Sequence, residues 1–76
     1  MVHEIARRVR EAANSGQKIA MFHYQVLSNA DQLKGIDAVD FFRDIGVPKT
    51  HATEFRKMIS LARLMKDQGV SILKSE

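Results

Sequence analysis

The chain has 76 residues, and we expect residues 1–76 to form a single domain because this length leaves no room for a second. An apolar share of 45% with 28% charged residues is the composition of a folded globular protein, and the helical period of the apolar residues argues against a disordered tail. The chain has no Cys, which excludes disulfides and thiolate metal sites, and its net charge of +3 is compatible with nucleic-acid binding without requiring it.

The first two predicted helices fill the first half of the chain. Apolar residues recur on one helix face over residues 2–14, and the break at residues 14–16 contains a Gly, which readily adopts the conformation that ends helices. A second helix should begin near Gln17, and it is apolar around much of its circumference. Its end is open, because residues 28–31 fit either a fraying turn or the start of another helix before Gly35.

A third, short helix is predicted after Asp37. This residue and Asp40 resemble a capping box, with one carboxylate at the helix start and another in its first turn. The helix should end at Gly46, because Pro48 disfavours helical geometry in the residue before it. A fourth and longest helix is predicted over residues 49–68, with Pro48 at its start and Gly69 as its stop. The apolar residues after Gly69 should fold back on the core or form a short tail.

Residues 38–57 resemble the helix-turn-helix of bacterial transcription regulators. The apolar and Gly positions of that pattern are occupied by Phe41, Ile45, Gly46, Val47, Ala52 and Phe55. One departure is Phe42, since these regulators usually have Ala where the two helices pack most tightly, and it implies a wider crossing or a variant motif. The resemblance implies an all-α, compact bundle of four to five helices containing a helix-turn-helix. A helical corner that binds nothing is the alternative.

The resemblance also implies DNA as the partner, bound through the helix that starts at Pro48. By position the candidate DNA contacts are Lys49, Thr50, Thr53, Glu54, Arg56 and Lys57. Lys and Thr can contact bases or phosphates, Glu can accept from cytosine, and Arg56 and Lys57 could hold phosphates. We expect a homodimer, because one such helix reads few base pairs. Three carboxylates of the third helix, those of Asp37, Asp40 and Asp44, would repel a duplex unless they face away from it.

A second functional class remains open, because the longest helix has more apolar residues than a small core needs. They are Met58, Leu61, Leu64 and Met65, and this face is either covered by the first helix or free to bind a partner protein, with Leu64 and Met65 as candidate contacts. In length, charge and acidic third helix the chain is similar to QseM-type antiactivators of conjugative-element transfer. That likeness implies a protein-binding module that sequesters a transcription activator.

Enzymes are the class that we least expect. The sequence has no nucleophile motif and no phosphate-cradling loop, and 76 residues leave little room for a cleft. The histidines, His3, His23 and His51, are far apart in the sequence, so we expect neither a metal nor a cofactor. No segment is apolar enough to span a membrane and the chain does not begin like a secretory signal, so we expect a cytoplasmic protein without a membrane partner.

Overall fold

The computed structural model describes residues 1–70, which form five α-helices and no strand. The helices are α1 (Val2–Ala13), α2 (Lys18–Ser28), α3 (Ala30–Leu33), α4 (Ala38–Ile45) and α5 (Ala52–Asp67), with a 3-10 turn (Lys49–His51) before α5. The predicted all-α bundle with a helix-turn-helix is confirmed, and α4 and α5 are its two helices. No helix in this part of the chain is long and apolar enough to cross a membrane. The prediction that the apolar residues after Gly69 fold back on the core or form a short tail concerns Ile72 and Leu73, which lie outside the described residues.

All four phenylalanines of the chain meet in the core. Helix α1 packs against α2 and α4, and α2 also packs against α5, so α2 is the central helix, in agreement with its apolar circumference. The ring of Phe42, only 2% exposed, lies 5.8 Å from that of Phe22 and 5.6 Å from that of Phe55 between ring centroids. Edge-to-face contacts at these distances are favourable for aromatic pairs. An aromatic ring therefore joins α2, α4 and α5 at the position where Phe42 predicts a wider crossing or a variant motif.

The turn between α4 and α5 begins at Gly46, as predicted. This Gly has a φ of 73°, a left-handed conformation that residues with a Cβ rarely adopt. The N–H of Val47 donates to the carbonyl of Phe42 at 3.1 Å and that of Gly46 donates to the carbonyl of Arg43 at 3.4 Å. These two bonds form a Schellman motif, and they turn the buried Val47 back toward the core.

The predicted start of the long helix at Pro48 is wrong, because regular α-helix begins only at Ala52. Pro48 has an extended ψ of 143°, so it precedes the helix and does not form its first turn. The N–H of His51 donates to the carbonyl of Pro48 at 3.1 Å, which closes the 3-10 turn between them. Lys49 and Thr50 therefore lie on this turn and not on α5.

Half of the predicted capping box is present at the start of α4. An oxygen of Asp37 accepts hydrogen bonds from the N–H groups of Val39 at 2.9 Å and Asp40 at 3.1 Å. The carboxylate of Asp40 instead pairs with Arg43 at 3.0 Å, one turn further along the helix. The Asp37 carboxylate alone therefore caps α4.

The open question at the end of α2 is answered by α3, which starts a new helix at Ala30. Asn29 stands between the two helices but does not cap the second one. Its side-chain amide donates back to the carbonyl of Gln25 at 2.9 Å, which satisfies an acceptor at the end of α2. The chain thereby bends without a Gly at this point.

Candidate functional site

Five of the six candidate DNA contacts form one exposed segment, which we call the outer segment: Lys49, Thr50, Thr53, Arg56 and Lys57. The last three are spaced three and four residues apart on α5, which places them side by side on the helix. They lie away from Phe55, whose side chain is buried in the core. These five side chains are therefore accessible to a binding partner.

The basic side chains of the outer segment have no carboxylate within ion-pair distance among residues 1–70. The Lys and Arg side chains that do form ion pairs lie outside the outer segment. They are Arg7 and Arg8 with Glu4 and Glu11 on α1, Arg43 with Asp40 and Asp44 on α4, and Lys66 with Asp31. A charge without a protein counter-ion is available to an external anion such as phosphate. Three such cations, Lys49, Arg56 and Lys57, thus lie where the 3-10 turn meets α5.

Two of the three arginines of α1 are paired with carboxylates of the same helix. Arg7 bridges Glu4 and Glu11, while Arg8 also binds Glu4 at 2.8 Å. Hydrogen bonds from Arg7 and then Arg8 lower the pKa of the Glu4 carboxyl below its ordinary value. This helix therefore presents much less unpaired charge than its sequence suggests.

Glu54 is the candidate contact that does not share the exposure of the outer segment. One of its carboxylate oxygens lies 2.7 Å from Nδ1 of His51 and 3.0 Å from Nε2 of His23, which belongs to α2. These hydrogen bonds, first that of His51 and then that of His23, lower the pKa of Glu54 below its ordinary value. The carboxylate predicted to meet a cytosine is thus already bound by two side chains of the protein.

Sequence reasoning missed this cluster because it depends mainly on how α2 packs against α5. His23 and Glu54 are 31 residues apart in the sequence, and nothing in the pattern pairs them. The spacing of three residues between His51 and Glu54 is the one signal that could have indicated half of it. No group of three or more His, Cys, Asp or Glu side chains within residues 1–70 has the geometry to hold a metal ion. The cluster of His23, His51 and Glu54 therefore does not form a metal site.

The acidic residues of α4 are exposed but not all free. The carboxylate of Asp37 caps α4 by accepting a hydrogen bond from the N–H of Val39. The guanidinium of Arg43 lies 3.0 Å from the carboxylate of Asp40 and 3.9 Å from that of Asp44. One arginine thus offsets part of the negative charge on this face. The repulsion of a duplex expected from these carboxylates is therefore reduced, though not removed.

The apolar surplus of α5 divides into two directions. Leu61 and Leu64 are 39% and 55% exposed, and they follow Lys57 along the outer side of the helix. Met65 is half-buried and lines a groove of ≈ 90 Å³ together with Leu27. The alternative in which the first helix covers this face is wrong for Leu64, because α1 packs against α2 and α4 instead. Leu64 and Met65, predicted as one partner surface, therefore point to different surroundings.

Comparison with protein families gives one result that covers most of the chain. The family of HTH-like domains matches residues 1–68, which include all five helices and the 3-10 turn. Comparison with curated proteins and with solved structures finds no match. The likeness to QseM-type antiactivators has no support from these comparisons.

Proposed function

Because the chain belongs to the family of HTH-like domains, we propose that it is a small regulator of transcription that binds DNA through its outer segment. The observation that carries this proposal is the set of exposed cations at Lys49, Arg56 and Lys57, none of which has a carboxylate partner within the described residues. Nonspecific affinity for DNA comes mainly from such charges, because each phosphate contact releases condensed counter-ions.

The remaining side chains of the outer segment have the chemistry for base recognition. Thr50 and Thr53 can donate or accept hydrogen bonds and can contact the methyl group of thymine, while Lys49 can donate to guanine. Arg56 and Lys57, further along α5, are suited to phosphates on either side of the groove. Since one such helix reads few base pairs, the proposed regulator acts on DNA as two copies.

A salt titration with paired variants tests the proposal. Binding of mixed-sequence genomic DNA fragments should weaken steeply between low and moderate salt. Lys57→Ala should make the dependence of log affinity on log salt shallower by about 0.9, the value for one phosphate contact. Lys34→Ala removes the same charge from an exposed position outside the outer segment and serves as the control. The proposal fails if no DNA binding is measurable at low salt, or if both variants weaken binding equally.

A second candidate function is favoured by the exposure of Leu61 and Leu64 on the same side of α5. Two neighbouring leucines in solvent suit an apolar contact with a partner protein, as an antiactivator that occupies a transcription activator would need. This function predicts regulation in cells without DNA affinity at low salt. Leu64→Asp should then abolish regulation while Lys57→Ala preserves it, and the opposite pattern would support DNA binding.

A further inference from the structure

The carboxylate of Glu54 connects three elements of the fold. It lies on the first turn of α5, His51 ends the 3-10 turn, and His23 belongs to the central helix α2. We propose that these three residues form a positioning cluster, in which Glu54 holds the 3-10 turn and the start of α5 against α2 and does not itself read bases. The inference rests on the proposed function, because the elements held in place are those that carry the outer segment.

The hydrogen bonds of the cluster define where its protons must be. An ionised carboxylate can only accept hydrogen bonds, so both ring nitrogens that face Glu54 must carry hydrogen. His23 therefore donates through Nε2 and His51 donates through Nδ1. When the rings are neutral, the two histidines are opposite tautomers, because each ring then has only one N–H.

The cluster is anchored to the aromatic core as well as to the helices. The ring of Phe22 lies 5.5 Å from that of His23 and 6.1 Å from that of His51 between centroids. Phe22 is fully buried, so both imidazole rings lie against the closely packed core. A shift of the 3-10 turn away from α2 would break a hydrogen bond and a ring contact together. The position of Lys49 and Thr50 is therefore coupled to the core through His51.

The first test is spectroscopic and needs no DNA. Nitrogen-15 NMR of the histidine rings in the full chain at neutral to mildly alkaline pH reports which ring nitrogen carries hydrogen. We expect an Nε2–H ring for His23 and an Nδ1–H ring for His51, with His3, which is exposed at the start of α1, as the internal reference. In Glu54→Ala the His51 signal should shift toward that of His3, whereas Glu54→Gln should shift it less, because its amide oxygen can accept the same two hydrogen bonds. An Nε2–H ring for His51 in the unmodified chain would overturn the inference.

The second test exchanges the donors. The amide nitrogen of Gln can take the place of Nε2 of a histidine, and that of Asn can take the place of Nδ1. The double variant His23→Gln with His51→Asn should therefore keep DNA affinity within about twofold. The swapped variant, His23→Asn with His51→Gln, should lose roughly tenfold, the size expected for one hydrogen bond to a charged group. Equal affinities of the two variants would overturn the inference.

Two controls keep the outcomes distinct. Both double variants have the same composition, so circular dichroism that shows equal helicity assigns a difference in affinity to position and not to unfolding. Glu54→Ala tests base reading by Glu54 itself. Loss of a direct contact would relax the preference for cytosine, the base that its carboxylate could accept from, whereas loss of positioning would weaken the contacts of Lys49 and Thr50 and leave any preference for cytosine unchanged. If no variant binds DNA while the predicted tautomers are observed, the cluster stands and the proposed function fails.

Discussion

Replacing Phe42 by Ala tests whether the aromatic joint or the usual close crossing holds this helix-turn-helix together. Helix-turn-helix regulators usually have Ala at this position, so a simple family argument predicts that the change is tolerated. The structure predicts the reverse. Phe42 is 2% exposed, and its ring packs edge-on against Phe22 and Phe55, so truncation leaves a cavity between three helices.

The expected cost is large relative to the stability of so small a domain. Truncation of a buried Phe to Ala typically costs about 3 to 5 kcal/mol, including the cavity that remains. A domain of this length has an unfolding free energy of about 4 to 11 kcal/mol at typical values per residue. Phe42→Ala should therefore leave the domain marginally stable, and Phe42→Leu should cost less because it fills most of the space.

Urea unfolding followed by far-ultraviolet circular dichroism measures this difference. The midpoint should fall strongly for Phe42→Ala while the denaturant slope is kept. Val39→Ala is the matched control, because Val39 lies on the same helix but is 62% exposed, and it should change stability by less than about 0.5 kcal/mol. A loss of less than about 1 kcal/mol for Phe42→Ala would refute the reasoning, since the helices would then close over Ala at little cost.

Three further predictions concern the turns and the charges. Gly46→Ala should cost about 1 to 2 kcal/mol of stability, because φ is 73° and only backbone strain opposes the new Cβ. Gly35→Ala is the control, because Gly35 has no positive φ, and it should leave the stability in the same urea assay nearly unchanged. Asp37→Ala should cost about 1 kcal/mol of stability through loss of the α4 cap, and Asp37→Asn should preserve most of it. The pKa of Glu54 is lowered in the folded chain, so its contribution to stability is full above the ordinary carboxyl range and is lost as the pH falls through the lowered value. Unfolding free energies measured across acidic pH should therefore fall less steeply for Glu54→Gln, and an unchanged slope would contradict the cluster geometry.

Local chemistry determined where α4 begins and where the turn after it lies. Gly46 and Pro48 each restrict backbone geometry regardless of the rest of the chain, and Asp37 caps a helix through bonds to residues two and three positions away. The apolar period likewise indicated which sides of the helices are buried. These features depend on neighbours in the sequence.

The sequence misplaced the start of the last helix, because Pro48 can either open a helix or precede one. A φ near −65° suits both roles, and only ψ distinguishes them. The packing of Val47 into the core sets the direction in which the chain enters Pro48. That constraint arises from contacts with other helices, so no local pattern could contain it.

Tertiary structure alone decided what the polar and apolar surplus of the long helix does. Glu54 and Lys57 looked equivalent as candidate DNA contacts, yet one is bound by His23 from another helix and the other is free in solvent. Leu64 and Met65 are adjacent, but a helix turns about 100° per residue, so Met65 lines a groove together with Leu27 of α2 while Leu64 is 55% exposed. A helical pattern gives the direction of each side chain from its own axis, whereas the neighbour found in that direction is set by how the helices pack.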